Sequence, residues 1–315
     1  MAKASHSSAP SSHPDSRRIF IAGPTAAGKS EIAVLLAERI GGEIISVDSM
    51  QVYRGLDVGT AKPSASERAR VPHHLVDVAE LTEPFDAAQF VRLAKVAAVE
   101  IEARHRVPIF CGGTGLYFKA FLNGLGDSPP ADAQLRAELE AAPMADLLRE
   151  LAERDPATYE KIDKKNPRRV VRAVEVIRLT GRKFSEQRAE WKSTVHSPQS
   201  TVIGLSREAP DLRTRIGARV DSMFARGLEE ETRRLLEQGL AHNKTVMQAL
   251  GYRQVVEHLR GERSLPETIE LVKIKTRQYA KRQMTWFKRQ MDLEWIVSGE
   301  DSAEKTVGAL LHCVY

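Results

Sequence analysis

Cysteine is scarce in this chain. Two in 315 residues, Cys111 and Cys313, supply neither a disulfide framework nor a thiolate metal cluster, and they suit a reducing cytoplasm. No apolar run approaches the ~18–20 residues of a membrane span, which predicts no membrane partner. The opening stretch MAKASHSSAPSSHPDSRR has no hydrophobic segment and so lacks a secretory signal. Rich in Ser, Ala, Pro and His, residues 1–18 read as a disordered tail. Residues 211–291 read as helical, with no repeat period. Acidic residues are outnumbered, 42 Asp+Glu against 47 Lys+Arg, for a net charge of +5. Such an excess matters only where it is concentrated.

Otherwise the composition is that of a globular chain, 42% hydrophobic and 28% charged. The length allows an α/β core and one accessory piece. The first chemical signal is GPTAAGKS, Gly23, Pro24, Thr25, Ala26, Ala27, Gly28, Lys29 and Ser30, between the apolar run RIFIA and the periodic stretch EIAVLLAERI. It matches the phosphate-loop pattern in the required strand-to-helix setting. Backbone N–H groups and the helix N-terminus favour anionic oxygens, Lys29 adds a point charge, and the Ser30 hydroxyl suits Mg2+.

The rest of the chain reads as one parallel α/β fold with an all-helical insertion. EIISVDS is a second strand, and the Gly- and Pro-rich residues after it form a long loop over the strand ends. VPIFCGG is a third strand running into a glycine turn and a helix. The Gly/Pro break NGLGDSPPADAQ opens a helical insertion, residues 124–200, in which Asn166, Pro167 and Gly181 mark one helix by its cap, first residue and terminator. STVIGLS returns to the sheet, so the phosphate-loop core comprises 19–123 and 201–315, with a helical C-terminal part.

Phosphate-loop kinases and ATPases place a metal-holding Asp after a later strand. Here the third strand ends in glycines and the second in Asp48, which makes Asp48 the candidate functional acid; a place beside a metal's ligands or at a helix cap is the alternative. His73 and His74 carry no carboxylate pattern that would make a metal site.

Taken together, GPTAAGKS, DSMQVYRGLDVGTAKP, PHHLVDV, CGGTGLYFKAFLNGL, ALGYRQ and TRQYAKRQMTWFKRQ resemble, in order, the motifs of the tRNA dimethylallyltransferases, also called tRNA isopentenyltransferases. The likeness spans nearly all of residues 19–291 and is to the bacterial type, with Ala27 where a serine is common. It implies transfer of a dimethylallyl group from dimethylallyl diphosphate to the exocyclic amine of the adenosine 3′ of the anticodon, with release of diphosphate. The phosphate loop would then grip a leaving group rather than a transferred phosphoryl. Asp48 resembles the general base and Thr114 the active-site threonine; a turn-forming hydroxyl is the plainer reading of Thr114.

Further positions match segments that contact tRNA in that family: Asp48, Ser49, Met50, Gln51 and Thr114; Arg136; Arg168, Arg169, Val170, Val171 and Arg172; Gln248, Ala249, Leu250, Gly251, Tyr252 and Arg253; Lys281, Arg282, Gln283, Met284, Thr285, Trp286, Phe287 and Lys288. Two of these segments also read as basic helix faces from spacing alone. In the second, Ala280, Met284, Phe287 and Met291 line the opposite, apolar side. Gln51 suits an adenine edge or a plain loop, while Trp286 and Tyr252 suit base stacking or core packing. The implied partner is the anticodon stem-loop of tRNA, its base flipped into the site, the implied cofactor Mg2+, and the implied state a cytoplasmic monomer. Rival readings are prenyl transfer to free adenine nucleotides, a small-molecule phosphate-loop kinase, and an RNA-binding module with a relic loop.

Overall fold

A computed structural model describes residues 17–187, 200–299 and 303–314. The tail reading of residues 1–18 and the end of the insertion therefore lie largely outside the described residues. RIFIA forms β1 (Arg18–Ala22), and α1 (Lys29–Ile40) follows the phosphate loop. Gly41, at φ 66°, caps α1 and turns the chain into β2 (Gly42–Val47).

The long loop expected next is interrupted by a helical turn, α2 (Ala65–Arg70), and a two-residue strand, β3 (His73–His74). Neither has enough apolar residues to be read from periodicity. A Ser64–Glu67 capping box and edge pairing to β2 hold them. Then follow α3 (Ala87–Ala103), β4 (Val107–Gly112) and α4 (Gly115–Asn123).

Six parallel strands make one sheet in the order β3-β2-β4-β1-β5-β6, where β5 is Ser200–Ser206 and β6 Glu294–Val297. Residues two apart point to opposite faces from their intervening neighbour. Ile19, Ile21, Ile109, Ile203 and Leu205 accordingly join Ile32 and Leu36 of α1 in one buried cluster. Phe20 and Phe110 stack at 4.5 Å on the other face. Each such aliphatic side chain contributes about 1.5–3 kcal/mol when removed from water.

The described residues form two compact units, one of Met1–Tyr117 with His196–Tyr315 and one of Phe118–Val195. The second opens inside α4, six residues before the Gly/Pro break that composition marks, because α4 runs without interruption through Asn123. It holds α5 (Ala133–Ala141), α6 (Met144–Arg154), α7 (Pro156–Lys161), α8 (Pro167–Thr180) and α9 (Phe184–Gln187) around Leu139, Leu147, Leu151, Val170, Val174 and Ile177. Asn166 caps α8, Pro167 begins it and Gly181 ends it at φ 70°.

In the first unit the chain after β5 is helical: α10 (Ala209–Ala225), α11 (Leu228–Glu237), α12 (Tyr252–Leu259) and the 26-residue α13 (Leu265–Gln290). Beyond β6, α14 (Ala303–Val314) packs on α1, and Val307 and Leu310 enter the sheet cluster. The sequence reading had no place for β6 or α14, which are short and amphipathic and acquire their partners only from the sheet edge and α1.

Candidate active site

In open parallel sheets, ligands sit beyond the carboxyl ends of the strands where the order reverses. The phosphate loop leaves β1, Asp48 leaves β2 and the Gly113-Thr114-Gly115 turn leaves β4, so three neighbouring strands aim their ends at one place. There the first unit has a cavity of about 390 Å³, within the usual range for a small-molecule site. Thr25, Lys29, Ser30, Asp48, Ser49, Met50, Gln51, Gln248, Ala249, Leu250, Arg282 and Gln283, all singled out by the sequence, line it.

The loop's shape is imposed by its neighbours. A side chain on Gly23 would lie 2.3 Å from the Leu205 carbonyl oxygen, and Gly28 starts α1 at φ 93°. Arg207 donates to the Ala27 carbonyl and Arg215 to that of Ala26, at 3.1 and 3.2 Å, turning those carbonyls away from an incoming anion. Lys29 Nζ donates to the Pro24 carbonyl at 2.7 Å. Burial, with Arg219 adding to it and Cys111 and Asp48 opposing, brings the Lys29 ammonium down to about 8. An anion arriving here would meet a cation short of counter-charge.

Asp48 Oδ1 accepts the Met50 and Gln51 N–H groups at 2.8 and 3.3 Å. This short turn fixes the carboxylate on the cavity wall while Oδ2 has no hydrogen-bond partner among the described residues. Thr114 is one step away: its hydroxyl accepts the Ser49 N–H at 3.1 Å, and its own N–H donates to Val47. The Gln51 amide is already used, accepting from Ser46 and donating to the Thr60 and Ala61 carbonyls. It braces the loop after β2 instead of offering an edge to adenine.

Several cavity residues escaped the sequence reading, Arg219 and Tyr279 the chemically notable ones. Arg219 lies on α10 among the buried Ile216, Val220 and Met223, points into the cavity and donates to the Thr60 carbonyl at 3.5 Å. Burial lowers its pKa, although Asp48 opposes the shift. A cation inside an apolar stripe was the available signal. Tyr279 of α13 completes the wall, its phenol pushed well above the usual range by burial first and Asp48 second. Met50, Val220, Met223, Leu250 and Val272 add apolar side chains to the lining.

Several residues read as RNA contacts have other employment. Val170, Val171, Tyr252 and Phe287 are buried, so their side chains pack instead of facing an RNA. The Tyr252 hydroxyl donates to Glu231 at 2.6 Å and accepts the Gly59 N–H at 3.1 Å. Glu231 itself receives the N–H groups of Asp57, Val58 and Gly59, which pins the far wall of the cavity. Gly251 donates to Gln254 and Arg253 pairs with Glu257.

In the second unit Arg136 and Arg172 both meet the fully buried Glu175, at 2.5 and 2.7 Å, and the Asp132 N–H donates to the same carboxylate. One carboxylate thus offsets half of the pair's charge inside that unit; Arg168 and Arg169 remain exposed. Lys281, Arg282, Thr285 and Lys288 lie exposed along α13, with Met284 and Trp286 half-buried beside them. His73 and His74 take separate partners, the Val71 carbonyl and Glu43. No cluster of metal ligands occurs among the described residues.

The profile of the IPP transferase family matches residues 51–290. The tRNA dimethylallyltransferase 1 of Citrifermentans bemidjiense is 46% identical over 88% of this chain and 91% of its own length. That of Geobacillus thermodenitrificans is 45% identical over 88% and 89%. Among solved structures, the full-length tRNA isopentenylpyrophosphate transferase of Bacillus halodurans superposes with a TM-score of 0.70 at 39% identity, covering 94% of this chain and 95% of that one. A eukaryotic dimethylallyltransferase acting on tRNA gives 0.74 at 28%, covering 89% and 74%.

Proposed function

This chain belongs to the IPP transferase family, and from that premise and the cavity's mixed cationic and apolar lining we propose that it is a tRNA dimethylallyltransferase using dimethylallyl diphosphate as donor. The observation that carries the reading is one cavity lined together by cations, aliphatic side chains and Asp48. Lys29, Arg219 and the amides ahead of Ser30 hold the diphosphate, and Met50, Val220, Met223 and Val272 hold the five-carbon chain. The allylic C–O bond breaks with its electron pair leaving on diphosphate, and the adenine N6 forms the new C–N bond. An adenine amine is a weak nucleophile, so its proton must leave as that bond forms. Asp48 accepts it, and the Thr114 hydroxyl helps hold the acceptor side.

The Ser30 hydroxyl, a hard oxygen on the cavity wall, would hold Mg2+ carried by the diphosphate, one protein ligand being enough beside the phosphate oxygens. Bound there, the ion neutralises charge on the leaving group. The acceptor is the adenosine 3′ of the anticodon, presented by the anticodon stem-loop to a cytoplasmic monomer. The exposed cations of α13 and Arg168 and Arg169 meet the phosphate backbone.

Incubation with radiolabelled dimethylallyl diphosphate, Mg2+ and bulk tRNA should place the label in RNA, on the N6 of that adenosine. Label in free AMP instead would support the nucleotide-modifying alternative. Transfer of the γ-phosphorus of ATP to any product would overturn the reading.

A further inference from the structure

The diphosphate cradle and the Thr114 turn leave different strands, and one side chain of α13 spans them. Gln283, 7% exposed, accepts the Thr25 N–H on Oε1 at 2.9 Å and donates from Nε2 to the Gly113 carbonyl at 2.8 Å. A methyl group on Gly113 would lie 2.3 Å from Nε2. Three residues on, Trp286 covers Gly115, where an added carbon would lie 2.1 Å from its ring. Thr114 is thus flanked by two glycines whose missing side chains are the seats of α13. Its hydroxyl reaches Ser49, the neighbour of Asp48.

We infer that Gln283 is a positioning residue for the transfer: its single amide sets the spacing between the cradle that grips the leaving diphosphate and the turn that aligns Thr114 and Asp48. The inference rests on the reading of the cavity given above, and it reassigns a residue that sequence resemblance counted among RNA contacts. The displacement needs leaving group and nucleophile aligned, and a misplacement near 1 Å costs on the order of 10²-fold in rate. Since the Gln283 amide meets protein groups, namely the Thr25 N–H, the Gly113 carbonyl and the Tyr279 phenol, its loss should fall on kcat and spare binding.

The test compares wild type, Gln283→Met, Gly113→Ala and the double variant. Single-turnover kcat, affinity for inorganic diphosphate, affinity for tRNA and Tm are measured on each. Gln283→Met should lose about 30–100-fold in kcat, with both affinities within about threefold of wild type and the melting transition intact. Gly113→Ala keeps the amide but denies it its seat, and it serves alone if Gln283→Met does not fold. It should give the same split, and the double variant should be no worse than the poorer single one, because both remove one interaction. Wild-type kcat in Gln283→Met, or a loss spread equally over kcat and both affinities, or multiplying defects in the double variant would each overturn the assignment. A wild-type enzyme that moves no allyl group would sink the underlying reading first, and this inference with it.

Discussion

Two side chains on the cavity wall have opposite tasks, and each can be tested by itself. Asp48 is argued to remove a proton and to bind nothing that Thr114, Lys29 and Arg219 do not also bind. Asp48→Asn keeps the turn to Met50 and Gln51. Turnover should therefore fall about 10²–10⁴-fold while tRNA affinity stays within a few-fold; an equal loss in both would make Asp48 a binding residue. Lys29 has a pH signature. Its folded value of about 8 lies below the ordinary 10.5. Between those values the unfolded chain holds a proton that the folded chain has released, so this residue's contribution to stability rises with pH across the window and is at its least favourable below 8. Thermal melts of Lys29→Met against wild type should show the variant's relative Tm falling between pH 7 and 10. Calorimetry on the wild type should show diphosphate affinity weakening as pH climbs through 8, because only the ammonium attracts the anion.

At the scale of elements, the loop after β2 is built by side chains from helices more than 170 residues away. Glu231 of α11 satisfies backbone N–H groups of Asp57, Val58 and Gly59, and Tyr252 of α12 reinforces it. Truncation by Glu231→Ala leaves those partly buried donors unpaired and should cost about 2–4 kcal/mol, since each fully buried unsatisfied group costs roughly 1–3 and these are half in water. Denaturant melts would measure it, and the donor KM should rise because Thr60 and Ala61 line the cavity. In the helical unit, Asn166 caps α8 by accepting the Arg169 N–H at 3.3 Å. Asn166→Ala should cost about 1 kcal/mol, visible as faster amide exchange in the first turn of α8 while the parallel sheet is unaffected.

For the whole molecule the governing quantity is where the small net charge of +5 resides. Many cations are paired internally, as Arg136 and Arg172 are with one carboxylate, Glu175, and Lys62 with Asp57 and Asp77. Exposed Lys281 and Lys288 recur seven residues apart on α13. Each phosphate contact contributes about 0.7–0.9 to the slope of log affinity against log salt. Removing both by Lys281→Ala and Lys288→Ala should flatten the slope for tRNA by about 1–2 and weaken binding, and leave the KM for dimethylallyl diphosphate unchanged. An unchanged slope in filter-binding titrations would place the RNA elsewhere.

The sequence by itself determined what is local. Strand, phosphate loop and α1 follow from RIFIAGPTAAGKS, and the cap, first residue and terminator of α8 follow from Asn166, Pro167 and Gly181, because a few adjacent residues set those dihedrals and caps. Only tertiary structure decided which cations are available and what braces the site. Arg172 looks the same as Arg168 in sequence until Glu175 and Pro129 close on it. Arg219 and Gln283 reach the cavity, and Glu231 the loop that walls it, from helices far along the chain, and no spacing rule links them to it. Periodicity says which face of a helix is buried; it does not say against what, and hydrogen bonds between residues hundreds of positions apart exist only once the sheet has ordered its strands.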